Sequence, residues 1–203
     1  MALKNLLFDL GGVIMDIKRE NCVDALQKIG ISSADELLGL YAQKGAFMLL
    51  EEGKISPAEF RDELRKEADR SLSDEQIDEA FNKFLIGIPV ERLRALEKLK
   101  GEYKIYMLSN TNPIMFKSFI KTEFEKDGKN RDYYFDGICV SYEELCCKPD
   151  RKIFLNLLDK FGIKAEETLF FDDSQKNIDA AAELGFQTQL IPPGTEFYQT
   201  IKG

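Results

Sequence analysis

Four short polar clusters interrupt the apolar runs of this chain: Asp9-Leu10-Gly11-Gly12-Val13, Ser109-Asn110-Thr111, Lys148-Pro149-Asp150 and Asp172-Asp173-Ser174. Between them they hold a carboxylate, a hydroxyl with an amide, a cation and a paired carboxylate. That set suits metal-assisted transfer of a phosphoryl group to an aspartate. The carboxylate attacks phosphorus, a hard divalent cation held by oxygens offsets the phosphate charge, and lysine with short donors clamps the remaining oxygens. Taken singly, the clusters have plainer readings: Asp9 a turn residue, Ser109 a helix cap, Lys148 a solvated lysine. Asp172-Asp173 asks for more, because adjacent carboxylates repel unless a cation or solvent intervenes, and a metal site answers that. Asp173 as a cap of the next helix, and Asn177 as a brace for that loop, remain open.

Composition removes the competing chemistries. There is no histidine among 203 residues, which excludes Ser-His and Cys-His nucleophile pairs and nearly every catalytic zinc site. Lys and Arg total 28 against 36 for Asp and Glu, a net charge of -8, so no nucleic-acid partner is expected. No apolar run approaches the ~18 residues of a membrane span, and the start of the chain carries no secretory pattern. Cys22, Cys139, Cys146 and Cys147 fit neither a disulfide framework nor a zinc site. They read as reduced thiols of a cytoplasmic protein, and Cys146-Cys147 beside Lys148 as ordinary buried cysteine rather than a regulatory pair.

The elements that must carry these clusters follow from periodicity. Residues 3–8 form an apolar strand that stops at Asp9 and a Gly-Gly break. From about 18 to 86 the signals are helical. Ser33-Ala34-Asp35-Glu36, Ser56-Pro57-Ala58-Glu59 and Ser73-Asp74-Glu75-Gln76 match the capping box, and Ile77, Ala80, Phe81, Phe84 and Leu85 repeat at helical spacing. Four helices and no strand are expected there. Glu51-Glu52 and the Glu/Lys/Arg-rich segment 59–70 read as solvated helix faces. Beyond Pro89, helices alternate with strands near 103–108, 135–140, 168–171 and 187–191, the pattern of a parallel sheet with crossover helices. In such sheets ligands bind at the carboxyl ends of the strands, where all four clusters fall.

In these motifs and their order the chain resembles the haloacid dehalogenase superfamily, whose members are mostly magnesium-dependent phosphatases. Phe8-Asp9-Leu10-Gly11-Gly12-Val13, Leu108-Ser109-Asn110, Lys148-Pro149-Asp150 and Phe170-Phe171-Asp172-Asp173-Ser174 resemble its four motifs. Glu52-Gly53-Lys54-Ile55-Ser56 with Phe60 is similar to a segment of its helical-cap subclass. The resemblance implies an α/β fold: a three-layer, Rossmann-like parallel sheet core formed by 1–16 and 87–203, with an α-helical bundle cap inserted at 17–86. It implies Asp9 as nucleophile, Ser109 and Asn110 holding the phosphoryl group, Lys148 bridging Asp9 and phosphate, and Mg2+ on Asp9, Asp172, Asp173 and the Gly11 carbonyl. Gly12 and, from the cap, Lys44 are expected to touch substrate.

One position departs from the pattern. Most family phosphatases carry a second Asp, a general acid, where this chain has Gly11. Acid-base help is worth ~10²–10⁴-fold, so its loss weighs least for easily departing groups such as anomeric, acyl or aryl phosphates. Asp16 is a candidate replacement. The expectation is therefore a phosphatase of a small phosphorylated metabolite, a sugar phosphate favoured. The alternatives are a dehalogenase using the same Asp and a catalytically weak binding scaffold. Nothing in the chain indicates its oligomeric state.

Overall fold

The computed structural model describes residues 2–39 and 43–201. Its core is a five-stranded, all-parallel sheet in the order β5-β4-β1-β6-β7, built from β1 (Asn5–Phe8), β4 (Lys104–Ser109), β5 (Gly137–Val140), β6 (Thr168–Asp172) and β7 (Gln187–Leu190). A second, antiparallel pair joins β2 (Asp16–Ile17) to β3 (Leu85–Gly87). Between those two short strands lie α1 (Arg19–Lys28), α2 (Ala34–Leu37), α3 (Gly45–Glu51), α4 (Pro57–Glu67) and α5 (Asp74–Asn82). The later helices are α6 (Val90–Leu99), α7 (Pro113–Lys117), α8 (Phe119–Glu125), α9 (Arg131–Tyr134), α10 (Ser141–Glu144), α11 (Arg151–Phe161), α12 (Gln175–Glu183) and α13 (Phe197–Thr200).

The sheet is apolar on both faces because helices cover both. Along β1, Leu6 and Phe8 face one side and Leu7 the other, all fully buried. The first face continues through Ile105, Met107 and Phe171 to Leu93 and Leu96 of α6 and Phe124 of α8. The second joins Tyr106, Leu108 and Phe170 to Phe154 and Leu157 of α11 and Ile178 and Ala181 of α12. Parallel register sets Phe8 beside Phe171, and the two rings stack at 4.7 Å. The first apolar face does not end at the sheet: it runs through Leu10, Val13, Ile14 and Met15 into the helices of 19–82. There Phe47, Phe60 and Phe81 meet with ring centroids 5.0 to 5.5 Å apart.

Local signals explain where elements begin. Pro57 opens α4 behind a complete Ser56–Glu59 capping box, and Ser73–Gln76 forms a second before α5. The box expected at Ser33 does not form: Ser33 sits in helical geometry, its hydroxyl makes no cap bond, and its Oγ is buried without a partner. Two further expectations are corrected. Among the described residues, five helices rather than four occupy this region, α2 being a single turn. The 77–85 repeat does not stay helical, since α5 ends at Asn82 and Leu85 enters β3, where the chain must straighten to pair with β2.

Candidate active site

β1 is where the strand order reverses, β4 lying on one side and β6 on the other, and a crevice opens at the carboxyl ends of such a switch point. Asp9 follows β1 at that point, and its N–H donates to the Phe171 carbonyl at 2.9 Å, so the sheet ladder itself fixes its position. The Lys148 ammonium lies 2.8 Å from Asp9 Oδ1 and 2.7 Å from Asp172 Oδ2, with its side chain and that of Asp172 essentially sealed from solvent. Asp172 is held on its other edges by the Ser174 N–H at 2.8 Å and by Asn177 Nδ2 at 2.9 and 3.1 Å. Asn177 is thus the brace of that loop. Asp173 turns the other way, against Gly12: a Cβ built there would stand 2.3 Å from Asp173 Oδ2, and Gly12 also has φ +74°. Only glycine fits that position.

One ammonium among three clustered carboxyls, Asp172 fully buried, leaves an excess of negative charge. Burial, with the added repulsion of Asp172 and Asp173, pushes Asp9 up to about 8 despite Lys148. Burial and Asp172 push Asp173 up to about 6. Burial works against a charged lysine, but the two aspartates outweigh it and hold Lys148 above its ordinary range. Asp9, Asp172 and Asp173 each bring an oxygen to within 4.8 Å of the others. A hard divalent cation fits that donor set and would relieve the repulsion. The turn after Asp9 is closed through the carbonyls of Leu10 and Met15, not that of Gly11.

Ser109 and Asn110 end β4 at the same crevice, and both line its inner cavity with Gly11. The Asn110 side chain, expected on the phosphoryl group, is engaged elsewhere. Its Nδ2 donates to the Lys148 carbonyl at 2.9 Å and its Oδ1 accepts from the Lys148 N–H at 2.8 Å, so it positions the lysine loop. The Gly12 N–H, also expected to touch substrate, donates to Met15 O at 2.9 Å. Lys44 is exposed at the N-cap of α3 and is absent from the linings of the cavities beside Asp9. Asp16 is taken by Arg92, whose guanidinium lies 2.8 Å from it and also binds Glu196.

Among the described residues of 17–86, the polar side chains that line both inner cavities, of about 50 and 80 Å3, are Gln43 and Glu51. They also line the wider mouth of about 480 Å3. Glu51 reads as part of a solvated face in the sequence, and that reading is corrected here: α3 turns it inward, because Phe47 and Leu50 on the same helix must face the apolar cluster. The signal that could have found it is its place one residue before the Glu52-Gly53 turn. Gly53, at φ +66°, packs so closely on the core that an added Cβ would lie 2.1 Å from the Tyr142 carbonyl oxygen. The four cysteines are free thiols, and burial pushes Cys22, Cys139 and Cys147 up to about 12, far from a reactive thiolate.

Residues 3–185 match the family model of the haloacid dehalogenase-like hydrolases. The chain is 37% identical over 199 residues to a D-ribitol-5-phosphate phosphatase of Bacteroides thetaiotaomicron, covering 98% of this chain and 97% of that one. It belongs to the haloacid dehalogenase-like hydrolase family. A sesquiterpene phosphatase of Aspergillus oryzae is 28% identical over 91% of this chain and 87% of its own length. Among solved structures, an aspartate-to-alanine variant of a family enzyme from Bacteroides thetaiotaomicron, in complex with magnesium and inorganic phosphate, superposes with TM-score 0.96 at 38% identity over the whole of both chains. The L-2-haloacid dehalogenase of Xanthobacter autotrophicus shares the fold, with TM-score 0.60 at 16% identity over 92% of this chain and 76% of that one. No described helix is long and apolar enough to cross a membrane.

Proposed function

We propose that the protein is a magnesium-dependent phosphatase of small phosphorylated metabolites, with sugar and polyol phosphates the favoured class. The observation that carries this is Lys148, buried between Asp9 and Asp172 at 2.8 and 2.7 Å while Asp173 completes a three-carboxylate group. A divalent cation would relieve the repulsion within such a group and leave the Lys148 ammonium to face a phosphoryl oxygen. When bound, magnesium on Asp9, Asp172, Asp173 and the Gly11 carbonyl supplies a Lewis acid that neutralises phosphoryl oxygens.

The chain's own residues do the rest. Asp9 attacks phosphorus and becomes the aspartyl phosphate; Lys148 stabilises the charge between nucleophile and phosphoryl oxygens; Ser109 donates to one of those oxygens; Asn110 keeps Lys148 in place. The helical unit of 17–86 acts as a cap that excludes water and selects the leaving group. The relative that acts on D-ribitol 5-phosphate supports a polyol phosphate over an anomeric one.

Phosphate release from D-ribitol 5-phosphate, glucose 6-phosphate and glucose 1-phosphate, with magnesium or EDTA, tests the reading. Release that needs magnesium and vanishes in Asp9→Asn is the expected result. Release unaffected by either would refute it.

A further inference from the structure

The family pattern places a general acid where this chain has Gly11, and Asp16 cannot replace it while bound to Arg92 and held outside the cavities beside Asp9. A polyol phosphate needs that acid, because its leaving group is a primary alkoxide that departs poorly unprotonated. We propose that Glu51, carried by the cap helix α3, donates the proton to the leaving oxygen and then accepts one from the attacking water. The proposal rests on the phosphatase reading given above.

Three observations carry it. The first is position. Glu51 lines the same small cavity as Asp9, Lys148, Asn110 and Gly11, and it also lines the mouth through which the rest of the substrate must extend. In phosphoryl transfer the attacking and leaving oxygens stand roughly in line. A phosphoryl group seated on Asp9 at the sheet end therefore turns its ester oxygen away from the sheet, towards the roof that α3 supplies.

The second is the vacancy opposite. A Cβ on Gly11 would meet only Ile17, at 3.4 and 3.6 Å, and Ile17 lines both inner cavities. The wall on which the usual acid would stand is apolar here, and among the described residues Glu51 is the carboxyl outside the Asp9–Asp172–Asp173 group that lines the same two inner cavities.

The third is protonation. Burial raises Glu51 to about 7, with Glu52 adding repulsion, and Gln43 and Lys148 pulling the other way. The groups acting on it are Gln43 ahead of its own helix, Glu52 at the helix end, and Lys148 and Cys147 from the loop before α11. A carboxyl so poised both gives and takes a proton near neutral pH.

The two steps balance. Asp9 Oδ attacks phosphorus as the ester P–O bond breaks; the electron pair stays on the leaving oxygen, which takes the Glu51 proton and departs as an alcohol. Water then attacks phosphorus and gives one proton to the Glu51 carboxylate. The P–O bond to Asp9 breaks with its electrons, and phosphate and the starting enzyme are restored.

The test compares leaving groups in one enzyme preparation. kcat and KM of wild type, Glu51→Gln and Glu51→Asp are measured with D-ribitol 5-phosphate and with p-nitrophenyl phosphate, whose phenolate needs no proton. Expected for Glu51→Gln is a fall of ~10²–10⁴-fold in kcat on the alkyl ester, and on the aryl ester a first-turnover burst of nitrophenolate within about 10-fold of wild type, followed by slowed steady-state release because breakdown by water has lost its base. Aryl activity in the same sample certifies the fold. Glu51→Asp should recover part of the alkyl activity. The wild-type kcat on the alkyl ester should fall as pH climbs through about 7, and that limb should be missing in Glu51→Gln. A first-turnover loss on the aryl ester equal to that on the alkyl ester, or a rise in KM with kcat intact, would overturn the assignment and leave the phosphatase standing. No release from either ester by the wild type would overturn both.

Discussion

The floor of the crevice and its roof hold their polar groups by different means. On the floor, Asp9, Ser109 and Asp172 stand at the ends of three neighbouring parallel strands, and Lys148 is pinned from a loop by both ends of Asn110. Every one is tied to a backbone ladder or a buried ion pair, so their mutual positions are fixed to the tolerance of the sheet. On the roof, Glu51 is aimed by which side of α3 packs on Phe60 and Phe81, and Gln43 lies just ahead of that helix. The roof touches the core through side-chain packing and the close approach of Gly53 to Tyr142. Under the function proposed above, a rigid floor and a packed roof divide the work: the floor carries the phosphoryl chemistry and the roof the leaving-group chemistry.

The sharpest way to break this contrast is at Lys148. Removing one member of a buried ion pair costs about 3–5 kcal/mol because the partner charge is stranded, and here two carboxyls are stranded at once. Lys148→Met should abolish phosphate release and lower the melting temperature in the absence of magnesium, with magnesium restoring much of the loss; calorimetry with and without the cation reads both. Next is Phe47→Ala in the roof. It should cost about 3–5 kcal/mol, and hydrogen exchange should localise the loosening to 19–82 while β1 and β4 stay protected. Loosening spread evenly over the sheet would show that floor and roof are one unit.

The floor should also betray its strain through pH. A carboxyl whose pKa is raised on folding holds its proton more tightly folded than unfolded. Its contribution therefore favours folding at low pH and is lost as pH climbs from the ordinary carboxyl range towards about 8 for Asp9 and about 6 for Asp173. Magnesium competes with those protons, so its apparent affinity should tighten between pH 6 and 8. Asp9→Asn should raise the metal-free melting temperature at pH 8, roughly 2–4 °C for each kcal/mol of repulsion removed. A drop instead would mean that the ion pair with Lys148 dominates the repulsion. Smallest of all is the pair of caps: Ser56→Ala should cost ~1 kcal/mol and Ser33→Ala close to nothing, because only Ser56 completes its box.

The same division decides what the sequence reveals. The floor is legible because a parallel sheet converts linear order into place: an apolar run followed by Asp9, Ser109 or Asp172 puts each side chain at one edge, and no further information is needed. Gly12 is legible only as a turn; that it clears space for Asp173 depends on two segments meeting. The roof is largely opaque. Glu51 and Glu52 are adjacent acids at the end of a largely apolar helix, and which one turns inward depends on how α3 rolls onto Phe60 and Phe81. Lys44 carries the charge expected of a phosphate ligand yet stays in solvent, while uncharged Gln43 beside it faces the crevice. Asp16 lies near Asp9 in sequence, but β2 carries it away to Arg92. Leu85 keeps helical spacing and still becomes strand, because pairing with β2 outweighs local periodicity.

The central claim is that Asp9 takes the phosphoryl group. It is tested most directly by acid-quenching the enzyme during turnover of D-ribitol 5-phosphate and mapping the modification by peptide mass. The account predicts one phosphoryl group on the peptide containing Asp9, dependent on magnesium and enriched in Glu51→Gln when a p-nitrophenyl ester supplies it, since breakdown by water is then slowed. A phosphoryl group on another side chain, or turnover that persists in Asp9→Asn, would contradict it.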